Sequence, residues 1–336
     1  MSETPTEQTA TPSKYEALSF GDPMPVLSQR EVFDYMEAMH NGKYYEPPLS
    51  LTGLSRIYKA AVHHASSIQV KRNILRSCFI PHRLLSTHEF TAWAMDFLIF
   101  GNGYLQRFNN RLKQPMTIKN LPAKYTRRGV ELDRYWWNPN WTTEEKLPAG
   151  DVFHLKECDV NQEIYGIPDY VASMNSSLLN ESATLFRRRY YENGSHAGFI
   201  LYLTDAMQDE RDITSLKTAL KNSKGPGNFR NLFLYAPGGN KDGLKLIPVA
   251  EVAAKDEFLS IKNVSRDDQL AAHRVPPQLM GIIPNNTGGF GDASQAAQVF
   301  DATELESLRV MMSSVNEWIG EEVIRFKPYA LAVAPV

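Results

Sequence analysis

The sequence predicts an α+β protein built around unusually long helices. Three observations carry this reading. Between residues 20 and 165 helical patterns come first, and short strand patterns separated by prolines come later. Residues 166–283 hold two long helical stretches that flank a small strand-and-helix insert. Residues 292–321 then run without proline, and without internal glycine until Gly320, which is well beyond the usual helix length.

Taken in chain order, residues 1–20 are read as a flexible arm, because the Thr, Pro, Glu and Ser at its start cannot repay the entropy of ordering. The block 21–165 opens on an extended Pro23–Pro25 stretch. A helix is expected over Leu27–Met39, a loop at Tyr44–Leu51 around Pro47-Pro48, and a second helix over Leu54–Val70. Thr87 is read as the N-cap of a helix over His88–Phe100, closed by Gly101-Asn102-Gly103. Phe90–Phe100 is the most apolar window. It contains Asp96 and is far too short for a membrane span, so it reads as a buried helix. Strands are expected at Tyr104–Phe108, Met116–Ile118, Val130–Trp137 and Val152–Leu155.

In the second half, Pro168 precedes a helix over Asp169–Glu192 that ends at Asn193-Gly194. The insert follows: strand Gly198–Leu203, polar helix Ala206–Asn222, a Gly225–Gly227 turn, strand Asn231–Tyr235, a glycine-rich turn Gly238–Gly243 and strand Leu244–Val249. A helix over Ala253–Ala272 stops at His273-Arg274-Val275-Pro276-Pro277. After the glycine-rich loop Pro284–Asp292 comes the long helix Asp292–Glu321, and Val323–Val333 reads as a last strand.

Composition excludes more than it selects. Of 336 residues, 43% are hydrophobic and 22% charged, and the formal net charge is −2, so the protein is not a uniformly basic nucleic-acid clamp. Two cysteines, Cys78 and Cys158, make no disulfide framework and fit a reducing compartment. The polar N-terminus has no apolar core of a secretory leader.

Several stretches taken together carry a resemblance. They are Phe153-His154-Leu155, Tyr165-Gly166-Ile167-Pro168-Asp169-Tyr170, Tyr190-Tyr191-Glu192-Asn193-Gly194-Ser195-His196-Ala197-Gly198 and Phe233-Leu234-Tyr235-Ala236-Pro237. Ala272-His273-Arg274-Val275-Pro276-Pro277-Gln278-Leu279-Met280-Gly281 and Ala296–Phe300 complete the set. In this order the sequence resembles the portal proteins of tailed bacteriophages, most closely the P2-like branch. The resemblance implies a portal-type fold with an α+β wing, a two-helix stem, a small α/β clip and a long wing helix. Residues 21–165 would be the N-terminal part of the wing, 166–194 the first stem helix, 195–252 the clip and 253–283 the second stem helix with its return to the wing. Residues 284–291 would be the tunnel loop, 292–322 the long wing helix and 323–336 a C-terminal strand with little or no crown.

It also implies a ring, usually of twelve subunits, in the virion at one capsid vertex, with the host cytoplasm as the place of assembly. Its partners would be the terminase, capsid and scaffold proteins, a neck or head-completion protein, and double-stranded DNA passing through without sequence recognition. No enzyme activity, cofactor, metal or membrane contact is implied.

The candidate site residues follow from that layout. Asn285, Asn286, Thr287, Gly288, Gly289, Phe290 and Gly291 form a soft, neutral loop suited to a sliding duplex. Its glycines suggest a phosphate cradle, but the lysine and hydroxyl of a P-loop are missing before Asp292-Ala293. Asp205, Asp209, Glu210, Asp212, Lys224 and Lys241 are candidates for partner docking on the insert, although acids at a helix start are favoured by the macrodipole alone. Arg187, Arg188 and Arg189 could meet phosphates or a neighbour's carboxylates, or simply end a solvated helix. His63-His64 and His88-Glu89 lack a metal-site spacing, since Ala92 stands where HExxH needs its second histidine. Met311, Met312 and Trp318 read as core or subunit contacts, and Trp136, Trp137 and Trp141 beside Pro139 read as buried, with an exposed aromatic ledge for a partner as the alternative. Two other classes stay open on the residues: a packaging nuclease or ATPase subunit, and a neck or tail adaptor that forms rings without a clip.

Overall fold

The computed structural model describes residues 38–140, 143–160, 162–192, 199–203, 244–248, 254–282 and 292–329. The expected N-terminal arm, most of the expected helix 27–39, the interior of the insert and the loop at 284–291 lie outside the described residues.

The first helices are Leu51–Ile57 (α1), Val62–Cys78 (α2) and Thr87–Phe100 (α3). The single helix expected over 54–70 is therefore two. Ser50 caps α1 by accepting from the Gly53 amide, and Ala61 is extended (φ −124°, ψ 134°), so the backbone turns between them. α3 is capped by Ser86 and not by Thr87; the Ser86 hydroxyl accepts from the Glu89 amide. Its end is as expected: Gly101 takes a left-handed conformation (φ 65°) that a side chain resists.

α3 is the spine of the body. Phe90, Trp93, Ala94 and Phe97 pack into one apolar cluster with Leu75, Phe79, Phe300, Leu308 and Met312. Ile99 and Phe100 pack into a second with Leu54, Tyr104, Leu121, Tyr135 and Met174. Helix and strand faces are thus covered from both sides of one buried rod, which is why its sequence is apolar nearly all round.

Strand β1 (Phe79–Ile80) pairs antiparallel with β10 (Arg325–Phe326), the only strand formed by the described part of the tail. Strands β2 (Asn102–Asn109), β3 (Pro115–Leu121) and β7 (Val152–Lys156) form one sheet in the order β3-β2-β7. Strands β4 (Thr126–Arg128), β5 (Tyr135–Asn140) and β6 (Thr143–Lys146) form another. The strand expected at 130–137 begins only at Tyr135, because residues 129–134 close a turn through hydrogen bonds between Gly129 and Arg134 and between Arg134 and Glu131. Trp136 and Trp137 are half-buried on β5; Trp141 lies outside the described residues.

A 3₁₀ turn over Asp169–Ser173 leads into α4 (Met174–Glu192). Strands β8 (Phe199–Leu203) and β9 (Leu244–Pro248) pair antiparallel in continuous register, so the insert leaves and rejoins at one place. α5 (Ala254–Ala272) then runs back beside α4.

The long helix is not one regular rod. Asp292 caps it, accepting from the amides of Ser294 and Gln295. It runs as α6 (Ala293–Phe300), a π-turn Asp301–Leu305, α7 (Glu306–Ser313) and α8 (Val315–Ile319), ending at left-handed Gly320. Met312 is fully buried, and the Trp318 indole N–H donates to the Gly150 carbonyl. Among the described residues no helix is long and apolar enough to cross a membrane.

Candidate functional site

Each of α4 and α5 has 19 residues, about 28 Å of rod. Their contacts fix the direction: Ser176 Oγ donates to Asp268 Oδ2 at 2.7 Å, and Asn180 Nδ2 donates to Ser265 Oγ at 2.7 Å. As one residue number rises the other falls, so the helices are antiparallel. Met174, Leu178, Ala183 and Leu270 are buried along the pair, but so are Ser177, Asn180, Ser265 and Gln269. Neither amide atom of Gln269 has a protein partner, nor has the Ser177 hydroxyl. Buried polar groups left without partners each cost about 1–3 kcal/mol, so this end of the pair is held less firmly than an apolar seam would be.

The pair is fastened to the body by a polar joint. Lys71 on α2 donates to Glu304 Oε1 at 2.5 Å, with both side chains buried. The π-turn supplies Glu304: the extra residue rotates this carboxylate inward while Arg309 clamps Asp301 in a two-pronged bond at 2.7 and 3.0 Å. Arg274, in a left-handed conformation (φ 54°) just past α5, bridges Asp169 at 2.8 Å and Glu304 at 3.1 Å. Its hydrogen bond to Asp169 holds the guanidinium above its usual pKa. Burial pushes the Lys71 ammonium below its ordinary value, against the opposing pull of Glu304.

Beside these ions sits a neutral layer. His64 Nδ1 and His273 Nε2 share a hydrogen bond of 2.8 Å, and the Tyr170 ring lies against both. Burial drives His64 down to about 4 and, with His64, Lys71 and Arg274 adding to it, His273 lower still, so both are uncharged at neutral pH.

Next to the joint, Asn102 ties three segments together. Its amide donates to the carbonyls of Phe100 and Gly166, both at 2.8 Å, and its oxygen accepts from the Gly166 amide at 2.7 Å and from His154 Nε2 at 2.9 Å. Three of the stretches singled out in the sequence, around His154, around Gly166 and Asp169, and around His273 and Arg274, therefore meet at the base of the helix pair.

The cleft bordered by Lys71, Gly101, Glu157, Asp169, His273 and Glu304 has a free volume of about 30 Å³, against roughly 300 Å³ or more for a small-molecule site. Among the described residues no group of three or more His, Cys, Asp or Glu comes together to hold a metal ion. His64 is a buried helix residue, and Glu89 accepts from the Asn120 amide.

Of the residues expected to carry function, Arg187 and Arg188 are exposed near the end of α4, and Arg189 continues that helix. Burial lowers the pKa of the Lys262 ammonium on α5, and the positive charge of Arg187 adds to the shift. Asp205, Asp209, Glu210, Asp212, Lys224 and Lys241 lie outside the described residues, as do Asn285, Asn286, Thr287, Gly288, Gly289, Phe290 and Gly291. Lys71 and Glu304 carried no signal in the sequence, and Asn102 stood there only as part of the Gly101-Asn102-Gly103 helix stop. His273, Arg274 and Asp169 lay inside stretches already singled out, without an assigned role.

Fold and joint together define a protein whose body carries a projecting antiparallel helix pair. The family model for phage portal proteins matches residues 79–329. A probable portal protein of Escherichia phage P2 is 53% identical over 323 residues, covering 96% of this chain and 94% of the relative. The chain belongs to the phage portal protein family. Among solved structures, the neck of an empty gene transfer agent (GTA) particle computed with C6 symmetry aligns with a TM-score of 0.61 at 16% identity, covering 86% of each chain. An HK97 family phage portal protein from Corynebacterium diphtheriae aligns with a TM-score of 0.56 at 12% identity, covering 81% of this chain and 94% of the other.

Proposed function

We propose that copies of this protein close into a ring, with about twelve subunits as the family resemblance implies, at one vertex of the capsid, and that the duplex genome is packaged and ejected through its bore. The observation that carries this reading is the antiparallel α4–α5 pair, a rod held at one end by the ionic joint and continued at the other by the β8–β9 ladder. Such pairs packed side by side make a tube wall with no open sheet edge. In this reading α4 and α5 are the two stem helices, 195–252 is the clip, 284–291 the tunnel loop and 292–322 the long wing helix. Exposed Leu179 on α4 and Val264 on α5 give the rod apolar points for a neighbouring rod.

The cations Arg187 on α4 and Lys262 on α5 serve passing phosphates or a neighbour's carboxylates, contacts that weaken with salt. The acidic and basic residues of the clip dock the terminase during packaging and a neck protein afterwards, while capsid and scaffold proteins surround the wing. The protein acts as a conduit, without catalysis and without a cofactor, and assembles in the host cytoplasm. Negative-stain microscopy of the purified protein should show rings of about twelve subunits with a central hole; a monomer at every accessible concentration would overturn the reading. Shortening 284–291 should leave rings intact and reduce packaged or retained DNA. Unchanged DNA length and retention would remove the loop from the DNA path.

A further inference from the structure

Two β-hairpin loops on this protein present matching tips. The β2–β3 loop exposes Arg111-Leu112-Lys113, and the β4–β5 loop exposes Glu131-Leu132-Asp133. Each tip places an exposed leucine between two like charges, and the charges are opposite in the two loops.

Both tips are held in shape by their own local hydrogen bonds. In the first, Asn110 Oδ1 accepts from the amides of Leu112 and Gln114, both at 2.9 Å, and Lys113 is left-handed (φ 60°). In the second, the Gly129 amide donates to the Arg134 carbonyl and the Arg134 amide to the Glu131 carbonyl, both at 2.8 Å. Leu112 is 79% exposed and Leu132 49%. Phe108 and Met116 extend the apolar surface of the first tip, and Val130 that of the second. Lys119, over the Phe108 ring, adds a further positive charge. Glu131 and Asp133 lie near Arg134, and Glu131 near Lys146, yet both carboxylates remain mostly exposed. Among the described residues no ion pair joins the two tips within one subunit.

A ring of identical subunits needs two different, mutually complementary patches on every copy, because each subunit meets its neighbours head to tail. We infer that the Arg111-Leu112-Lys113 tip of one subunit docks on the Glu131-Leu132-Asp133 tip of the next. The occupant is a second copy of this protein, and the inference rests on the ring reading above. The two leucines supply desolvated contact, and the four charges set direction and register. A nucleic acid is the weaker match for the basic tip, since a 79% exposed aliphatic side chain stands between its two cations.

The test uses the full-length protein in three variant forms. The all-acidic variant carries Arg111→Glu and Lys113→Glu, so both its tips are negative. The all-basic variant carries Glu131→Lys and Asp133→Lys, so both its tips are positive. The exchanged variant carries all four changes. Assembly is followed by size-exclusion chromatography and negative-stain microscopy across subunit concentrations, with circular dichroism confirming that each variant folds. The all-acidic and all-basic variants alone should each need roughly tenfold or more higher concentration than the wild type for half-assembly. Mixed in equal amounts they should assemble near the wild-type concentration, since alternating the two restores every contact. The exchanged variant alone should also assemble. Rings that form equally well from either single-sign variant would overturn the pairing and leave the tips to another component of the particle; failure of both the mixture and the exchanged variant would overturn it too. A wild-type protein that never forms rings would instead sink the ring reading itself.

Discussion

Glu304 is the one carboxylate that both ends of the joint depend on, and its removal gives the sharpest energetic test. Glu304→Gln keeps size and a hydrogen-bonding oxygen but leaves the Lys71 ammonium without its counter-charge. The Lys71 and Glu304 side chains are 7% and 8% exposed, so solvent cannot take over. Breaking a buried pair from one side costs about 3–5 kcal/mol, and that is the loss expected here. Arg274 contributes differently: its side chain is 55% exposed, so Arg274→Ala should cost no more than about 1 kcal/mol from lost ion pairing. Lys71→Met leaves Glu304 facing Arg274 and should fall between, at about 1–3 kcal/mol. The double change Lys71→Met with Glu304→Leu removes both charges and should return to within about 1–2 kcal/mol of the wild type. Urea denaturation at subunit concentrations below assembly measures all four. The reasoning is refuted if Glu304→Gln costs less than Arg274→Ala, or if the double variant is as unstable as Glu304→Gln.

Two further predictions come from the body of the fold. Asp96 is half-buried on α3, and desolvation there raises its pKa from 3.8 to about 6, despite the hydrogen bonds its Oδ2 accepts from Ala123 at 2.9 Å and Asn120 at 3.3 Å. Here the folded state holds a proton that the unfolded state releases, so this group's contribution is present below about pH 4 and is lost as pH rises to about 6. Asp96→Asn should therefore gain about 1–3 kcal/mol at pH 7 and remove that part of the pH slope, and an unchanged slope between pH 4 and 6 in parallel denaturation curves would rule the effect out. At Gly166, a Cβ would stand 2.0 Å from the Gly101 carbonyl oxygen and 2.4 Å from the Glu157 amide nitrogen. Both are backbone atoms, so Gly166→Ala should cost about 3 kcal/mol or more, read as a lower thermal midpoint or lost soluble yield; a midpoint equal to the wild type would show that the segment yields easily.

The sequence made α3 legible because one window is apolar on every face and a glycine follows it. Its cap was legible too, in Ser86-Thr87-His88-Glu89, where Ser86 and Glu89 have capping-box spacing. That spacing favours Ser86 over Thr87, although in the fold Glu89 turns to Asn120 and completes only half the box. The π-turn also left a trace. Buried Phe300 and Leu305 stand five apart where a regular helix wants three or four. The break at Ala61 left none, since Tyr58-Lys59-Ala60-Ala61 contains no helix breaker and the turn is imposed by tertiary packing. The joint was illegible for a different reason. Lys71 and Glu304 stand 233 positions apart, and His64 and His273 stand 209 apart, so nothing local marks one as the other's partner.

The distribution of apolar and polar contacts says how load passes through the molecule. Around α3 the two clusters are almost wholly apolar, and a close-packed apolar body resists deformation because any shift opens voids. At the base of α4 and α5 the contacts are ion pairs, a histidine pair and unsatisfied amide and hydroxyl groups. Polar contacts of this kind have more than one acceptable geometry, since Arg274 already divides itself between Asp169 and Glu304. The exposed Arg274 bridge is the part of the joint free to rearrange, while the buried Lys71–Glu304 pair and Asn102 hold the base of the rod and the strand and loop behind it in place. On the ring reading proposed above, that leaves the compliance at the root of the proposed stem and the stiffness in the proposed wing.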